Sequence, residues 1–167
     1  MMSKEPLDHV DHILAQWRKE RPDLDVGPMG LLGRLHRLST HLGREVEAVL
    51  LRHGLSSSAF DVLATLRRAG SPYQLSPGDL LAMTMVSSGT MTNRIDQLEK
   101  AGLVERIHNP HDRRSVLISL TERGLAIVED AVGAHVENQH RLVAHLGKEE
   151  QAALNGLLKR FLQDFEE

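Results

Sequence analysis

Apolar positions recur every three or four residues along most of this chain, and the pattern breaks where prolines and glycines fall. Val10, Ile13, Leu14 and Trp17 stand at i, i+3, i+4 and i+7, which predicts an amphipathic helix over residues 7–20. Pro22, Gly27 and Pro28 interrupt it. A scaffold segment over 27–53 follows, helical from about 29, with Leu31, Leu35, Leu38, Leu42, Val46 and Val49 along it and Gly54 after it as a C-terminal stop. The next helix is predicted over 56–69, ahead of Gly70. Ser76-Pro77-Gly78-Asp79 is a helix start: serine is a favoured cap, proline fits the first turn, and aspartate suits the positive end. That helix is short, to about Met83. Another begins near Ser87 or Ser88 and ends at Ala101-Gly102.

The period then changes. Residues 103–107 and 116–120 are short β-branched runs, joined by His108-Asn109-Pro110-His111-Asp112-Arg113-Arg114, so they read as a hairpin with a basic tip. Thr121 caps a long helix to about 146, Gly147 breaks it, and 148–165 forms a last amphipathic helix. Helix, short helix, turn, helix and two-stranded hairpin is the order of a winged helix-turn-helix. The expected fold is therefore mainly α with a small β-hairpin, one domain over 1–167. Its DNA-binding lobe is 56–120. The flanking helices, 7–20 and 121–167, carry more apolar surface than so small a core buries, and they are expected to form a homodimer.

Composition narrows the function. Aromatics are only 3%, so the core is aliphatic. No apolar run reaches the roughly 20 residues of a membrane span, and the mixed acidic and histidine-bearing start is unlike a signal peptide, so the expected location is cytoplasmic. The chain has no cysteine, which excludes disulfides and thiol redox sensing. The net charge of −3 runs against a phosphate-binding protein until it is resolved along the chain. Residues 27–120 hold eleven Lys/Arg against eight Asp/Glu, while both flanks are acidic. An acidic total thus conceals a basic middle.

In the candidate recognition helix, Met91, Ile95 and Leu98 make the inward stripe. Gly89, Thr92, Asn93, Asp96 and Gln97 lie opposite, where small and amide side chains suit base edges in a major groove. Ser87, Ser88 and Thr90 stand at its N-terminus, where hydroxyls and free N–H groups hold phosphate. Arg94 lies roughly 60° from the centre of the apolar stripe, placed to brace the helix rather than to read a base. A solvated helix face would show the same residues. Arg113 and Arg114 at a hairpin tip are harder to explain as packing, since arginine entering a narrow minor groove is a recurrent shape readout. Asp112 is expected to pin the loop by pairing with an arginine.

Residues 87–106, from Ser87-Ser88-Gly89-Thr90 to Gly102-Leu103-Val104-Glu105-Arg106, then Asn109-Pro110-His111-Asp112-Arg113-Arg114 and Leu120-Thr121-Glu122-Arg123-Gly124, resemble the MarR family of antibiotic-resistance regulators. Gln16-Trp17-Arg18-Lys19-Glu20-Arg21-Pro22-Asp23-Leu24-Asp25 and Leu63-Ala64-Thr65-Leu66-Arg67-Arg68-Ala69-Gly70-Ser71-Pro72-Tyr73 are similar to the PecS-like branch, which includes urate-responsive repressors. The resemblance implies a dimeric repressor, released by a small aromatic anion such as urate, and the two-fold symmetry of a dimer predicts a palindromic operator. It implies ligand roles for Trp17, Asp61, Arg94 and Arg106, with Asp61 pairing Arg94 and Arg106 holding the anion. From the residues alone, Trp17 continues a core stripe, and Asp61 shares a polar face with Ser57, Thr65 and Arg68.

Ten histidines invite a metal reading, yet no cysteine or acid cluster completes a site, and no metal or other cofactor is expected. His135, beside Val132 and Val136 on a dimerisation helix, is placed where a titrating imidazole could matter, but it reads first as a partly exposed histidine. No nucleophile elbow or phosphate loop appears, so the chain is not expected to be an enzyme. The competing class is a winged-helix dimerisation module that never touches DNA. Arg113, Arg114 and the small polar outer face speak against it.

Overall fold

The computed structural model describes residues 6–84, 91–110 and 112–166, without the side chain of Arg113. The chain divides into two compact units, Met1–Glu45 and Val46–Glu167.

The first unit holds α1 (His9–Glu20) and most of α2 (Gly27–Arg52). Asp8 caps α1, accepting from the Asp11 N–H at 2.8 Å, while Asp11 accepts from the Asp8 N–H at 3.0 Å. Arg34 of α2 reaches both carboxylates, at 2.8 Å and 2.7 Å. Its hydrogen bond to Asp8 is the largest cause holding that carboxyl down at about 2. Val10, Leu14 and Val26 form a small buried cluster. A β-carbon on Gly30 would sit 2.9 Å from Leu14 Cδ1, so glycine there lets α1 lie close on α2. Ile13 and Trp17, which the apolar stripe places with Val10 and Leu14, are instead exposed.

The second unit is built around α3 (Ser57–Arg68), with β1 (Gln74–Leu75), α4 (Pro77–Met83), α5 (Met91–Lys100), β2 (Val104–Asn109), β3 (Asp112–Leu120), α6 (Glu122–Val143) and α7 (Lys148–Gln163). The sheet is antiparallel in the order β1-β3-β2, with Arg106 opposite Ile118 and an irregularity at His108/Asn109. Its core is aliphatic, as the shortage of aromatics requires. Leu63 and Leu66 of α3, Leu80 of α4, Ile95 of α5, Ile118 of β3 and Val128 of α6 all meet in it. Thr65 is fully buried, so the face it shares with Asp61 is not a simple solvated one; its hydroxyl donates to the Asp61 carbonyl at 2.7 Å.

No residue of α7 is buried, and Leu157 and Phe165 are 56% and 73% exposed. Among the described residues no helix is long and apolar enough to cross a membrane.

Candidate nucleic-acid interface

α4 and α5 are the helix pair. Ser76 caps α4, its hydroxyl accepting from the Asp79 N–H at 3.1 Å and donating to the Asp79 carboxylate at 2.6 Å. Arg68 of α3 donates to the Met83 carbonyl, satisfying the C-terminal end of α4. The connection to α5 lies outside the described residues, and so do Ser87, Ser88 and Thr90. On α5 the inward stripe is as the spacing predicts: Met91, Ile95 and Leu98 are buried. Thr92, Asn93 and Gln97 are exposed. The helix thus presents small hydroxyl and amide side chains to solvent along a face held rigid from behind.

Two sets of contacts do the holding. At the C-terminal end, the Thr121 hydroxyl donates to the Gly102 carbonyl at 2.8 Å and accepts from the Gly124 N–H at 2.9 Å, so one side chain ties α5's exit to α6's start. Arg123 donates to the Ala101 carbonyl at 2.9 Å. Along its flank, α5 is gripped by Arg106 of β2. The guanidinium meets Asp96 at 2.5 Å and also pairs with Glu99, whose other oxygen accepts the Arg106 backbone N–H at 3.3 Å. The hydrogen bond to Asp96, then the field of both acids, pushes the Arg106 pKa further up. Sequence reasoning missed this clamp. Its signal was present: two acids at i, i+3 on a helix, followed by an arginine on the next strand.

The hairpin is braced from within. Asp112 accepts the Arg114 backbone N–H at 3.0 Å, so it pins the loop through the main chain and not through the Arg114 guanidinium. Asn109 donates to the Ser115 hydroxyl at 3.0 Å, and that hydroxyl donates to the Asp112 carbonyl at 3.1 Å. Arg114 is exposed on this frame. The Arg113 side chain lies outside the described residues.

The residues assigned to a ligand by resemblance are differently placed. Trp17 is 41% exposed on α1. Asp61 is half-buried on α3. Arg94 is half-buried, and its Nη1 is enclosed without a hydrogen-bond partner, so the expected anchor to Asp61 is not made through that atom. Arg94 also lines a pocket of about 310 Å³ with Ser56, Ser58 and Gln97. Arg106 is not a free cation awaiting an anion, because Asp96 and Glu99 already occupy it. Among the described residues no three histidines or acids come together to hold a metal ion.

A family model described as the MarR family matches residues 53–115, the span from the end of α2 to the start of β3. The chain is 44% identical over 151 residues to the HTH-type transcriptional regulator PecS of Dickeya dadantii (strain 3937), covering 90% of this chain and 91% of that protein. It is 34% identical over 133 residues to the multiple antibiotic resistance protein MarR of Escherichia coli (strain K12), covering 78% and 90%. A solved structure of a MarR mutant from E. coli complexed with operator DNA matches with a TM-score of 0.69 at 28% identity, covering 87% of this chain and 97% of that one.

Proposed function

The chain belongs to the MarR family, and from that premise we propose that it is a homodimeric repressor that binds a palindromic operator and leaves it when a small aromatic anion binds. Its relatives are transcriptional regulators and not enzymes. The observation that carries the DNA reading is the outward face of α5. Thr92, Asn93 and Gln97 stand exposed on a helix whose other side is buried and whose end is tied down by Thr121 and Arg123. A matched relative of similar fold was solved in complex with operator DNA. Ser87, Ser88 and Thr90 take phosphate in this reading, Thr92 and Asn93 read bases, and Arg113 and Arg114 enter the neighbouring groove.

The dimer reading rests on α7, which buries none of its own side chains while Leu154, Leu157, Leu158, Phe161 and Leu162 lie within three turns. Five large apolar residues on one exposed helix need a partner, and a second copy supplies the same surface by two-fold symmetry. Two recognition helices related in that way would reach half-sites about 34 Å apart. The ligand reading keeps Trp17, Asp61, Arg94 and Arg106 as its residues and urate as its first candidate.

The direct test is fluorescence anisotropy with a duplex from upstream of the protein's own gene, against a mixed-sequence duplex of equal length. Tighter binding to the former at moderate salt supports a specific regulator. Equal binding to both would leave only a general DNA-binding protein, and no binding at low salt would remove the reading.

A further inference from the structure

The Arg106 clamp has an electrostatic consequence for the helix it holds. Asp96 follows Thr92 by four residues and Asn93 by three, so it continues the very strip that faces outward. Glu99 stands three residues further on. A recognition helix carrying two carboxylates along its working flank would meet the densest array of negative charge in the cell with the wrong sign. The position of Arg106 answers this. It lies on β2, opposite Ile118, where the sheet fixes its backbone, and its guanidinium takes Asp96 and Glu99 together. Its backbone N–H takes the remaining oxygen of Glu99.

We infer that Arg106 is a positioning residue for DNA binding, which turns the two carboxylates of α5 toward the wing strand and offsets one of their two negative charges so that the helix can enter the groove. This rests on the DNA reading above. It goes beyond it by giving a role to a residue that need touch neither base nor phosphate. It also separates two effects that a simple brace would merge. Bracing fixes the angle of α5, and its loss is not mended by removing the two acids as well. Charge neutralisation is a field effect, and mobile ions screen it.

The experiment measures the affinity of the full chain for a mixed-sequence duplex longer than two helical turns, across a salt series, with thermal melting of each variant alongside. Arg106→Gln keeps a polar side chain and removes the charge. Its binding is expected to fall by about tenfold at low salt, with the deficit narrowing as salt rises. Adding Asp96→Asn and Glu99→Gln to it is expected to restore most of the loss, because no bare carboxylate remains. Arg106→Lys, which keeps the charge and loses the two-pronged fit, should stay close to wild type. A deficit that is constant across salt and is not recovered in the triple variant overturns neutralisation and leaves a brace. Should Arg106→Gln fail to fold, Asp96→Asn with Glu99→Gln decides alone. Neutralisation predicts that this pair binds at least as tightly as wild type, whereas weaker binding overturns it. If the wild type binds no duplex at low salt, the DNA reading falls and this inference with it. If the wild type binds and Arg106→Gln binds equally, only this inference falls.

Discussion

Gly124 and Leu103 meet backbone to backbone, so closely that a β-carbon on Gly124 would overlap the Leu103 carbonyl oxygen and lie 2.8 Å from the carbonyl carbon. The contact joins the first turn of α6 to the entrance of β2. It is reinforced by the Thr121 N–H, which donates to that same carbonyl at 3.1 Å. Alanine for glycine inside a helix ordinarily gains about 1 kcal/mol of propensity. Here the overlap is with main chain that the sheet holds, and overpacking of that kind costs about 1–3 kcal/mol or more. Gly124→Ala is therefore expected to destabilise the fold. Gly43→Ala in α2, where an added β-carbon meets nothing within 4 Å, is expected to stabilise it by a few tenths to about 1 kcal/mol. Denaturant melts of the two variants check both signs.

Acidification should weaken the packing of α6 on α3. His135 lies against Phe60, ring centroids 5.0 Å apart, and its Nε2 meets the Gln139 side-chain nitrogen at 2.9 Å. The amide nitrogen donates, so Nε2 accepts and the neutral ring carries its proton on Nδ1, which is buried without a partner; a second proton would go to Nε2, against that donor. Burial pushes this imidazole below its ordinary 6.5. The unfolded chain then takes up the proton first as pH falls, so stability is full above about 6.5 and is lost between that value and the lower folded one. The melting temperature of the wild type should drop between about pH 7.5 and 5.5 by more than that of His135→Gln. Equal drops would place the pH response elsewhere.

Much of this was legible from spacing because the elements are long and their punctuation is strong. Ser76 and Pro77 fixed the start of α4, Thr121 fixed α6, and Gly54 and Gly102 take positive φ where helices end. What periodicity hid was short or cross-chain. Gln74 and Leu75 form a two-residue strand beside β3, too short to carry a period. Thr65 lies on a face that reads as polar yet is completely buried, its hydroxyl satisfied by the preceding turn. Trp17 continues an apolar stripe whose outer half, Ile13 and Trp17, stays 38% and 41% exposed. Arg106 looks like a free strand cation until the sheet brings it to Asp96 and Glu99.

DNA contacts should divide into two kinds. Arg114 is exposed near the hairpin turn, on a frame set by Asp112 and Ser115. Arg114→Ala and Arg113→Ala are expected to weaken binding to all sequences and to reduce the salt slope by about 0.9 for each cation removed. Asn93→Ala is expected to relax preference at particular base pairs, by about 1–3 kcal/mol for a good contact, and to leave the slope alone. Anisotropy titrations against operator and point-altered operators separate the two. Wild-type behaviour from all three variants would undo the helix and wing assignment.

The assembled state should depend on α7. Leu157 is 56% and Leu162 52% exposed, and neither supports the core of its own chain. Leu157→Lys with Leu162→Lys is expected to yield a folded monomer with unchanged helical content and much weaker operator binding. Sedimentation velocity at micromolar concentration reads this directly. A wild-type monomer under the same conditions would remove the dimer, and with it the palindrome.

The clamp gives a response to ligand a physical form. An anion that takes Arg106 must compete with Asp96 and Glu99, which already hold the guanidinium. Whatever it displaces is a carboxylate on the recognition helix, so binding of the anion and binding of DNA oppose each other through one residue. By linkage, DNA must weaken the anion by the same factor that the anion weakens DNA. Trp17, exposed on α1, is the aromatic residue that the resemblance assigns to the ligand. Urate is therefore expected to release operator DNA in a dose-dependent way. Trp17→Ala should bind DNA as the wild type does and lose most of the response, while Asp61→Asn should blunt the response more than it weakens urate binding. Isothermal titration with urate, with and without operator bound, measures the coupling. Identical urate affinity in the two titrations, or no heat in either, would remove the anion switch while leaving the fold and the DNA-binding lobe as they stand.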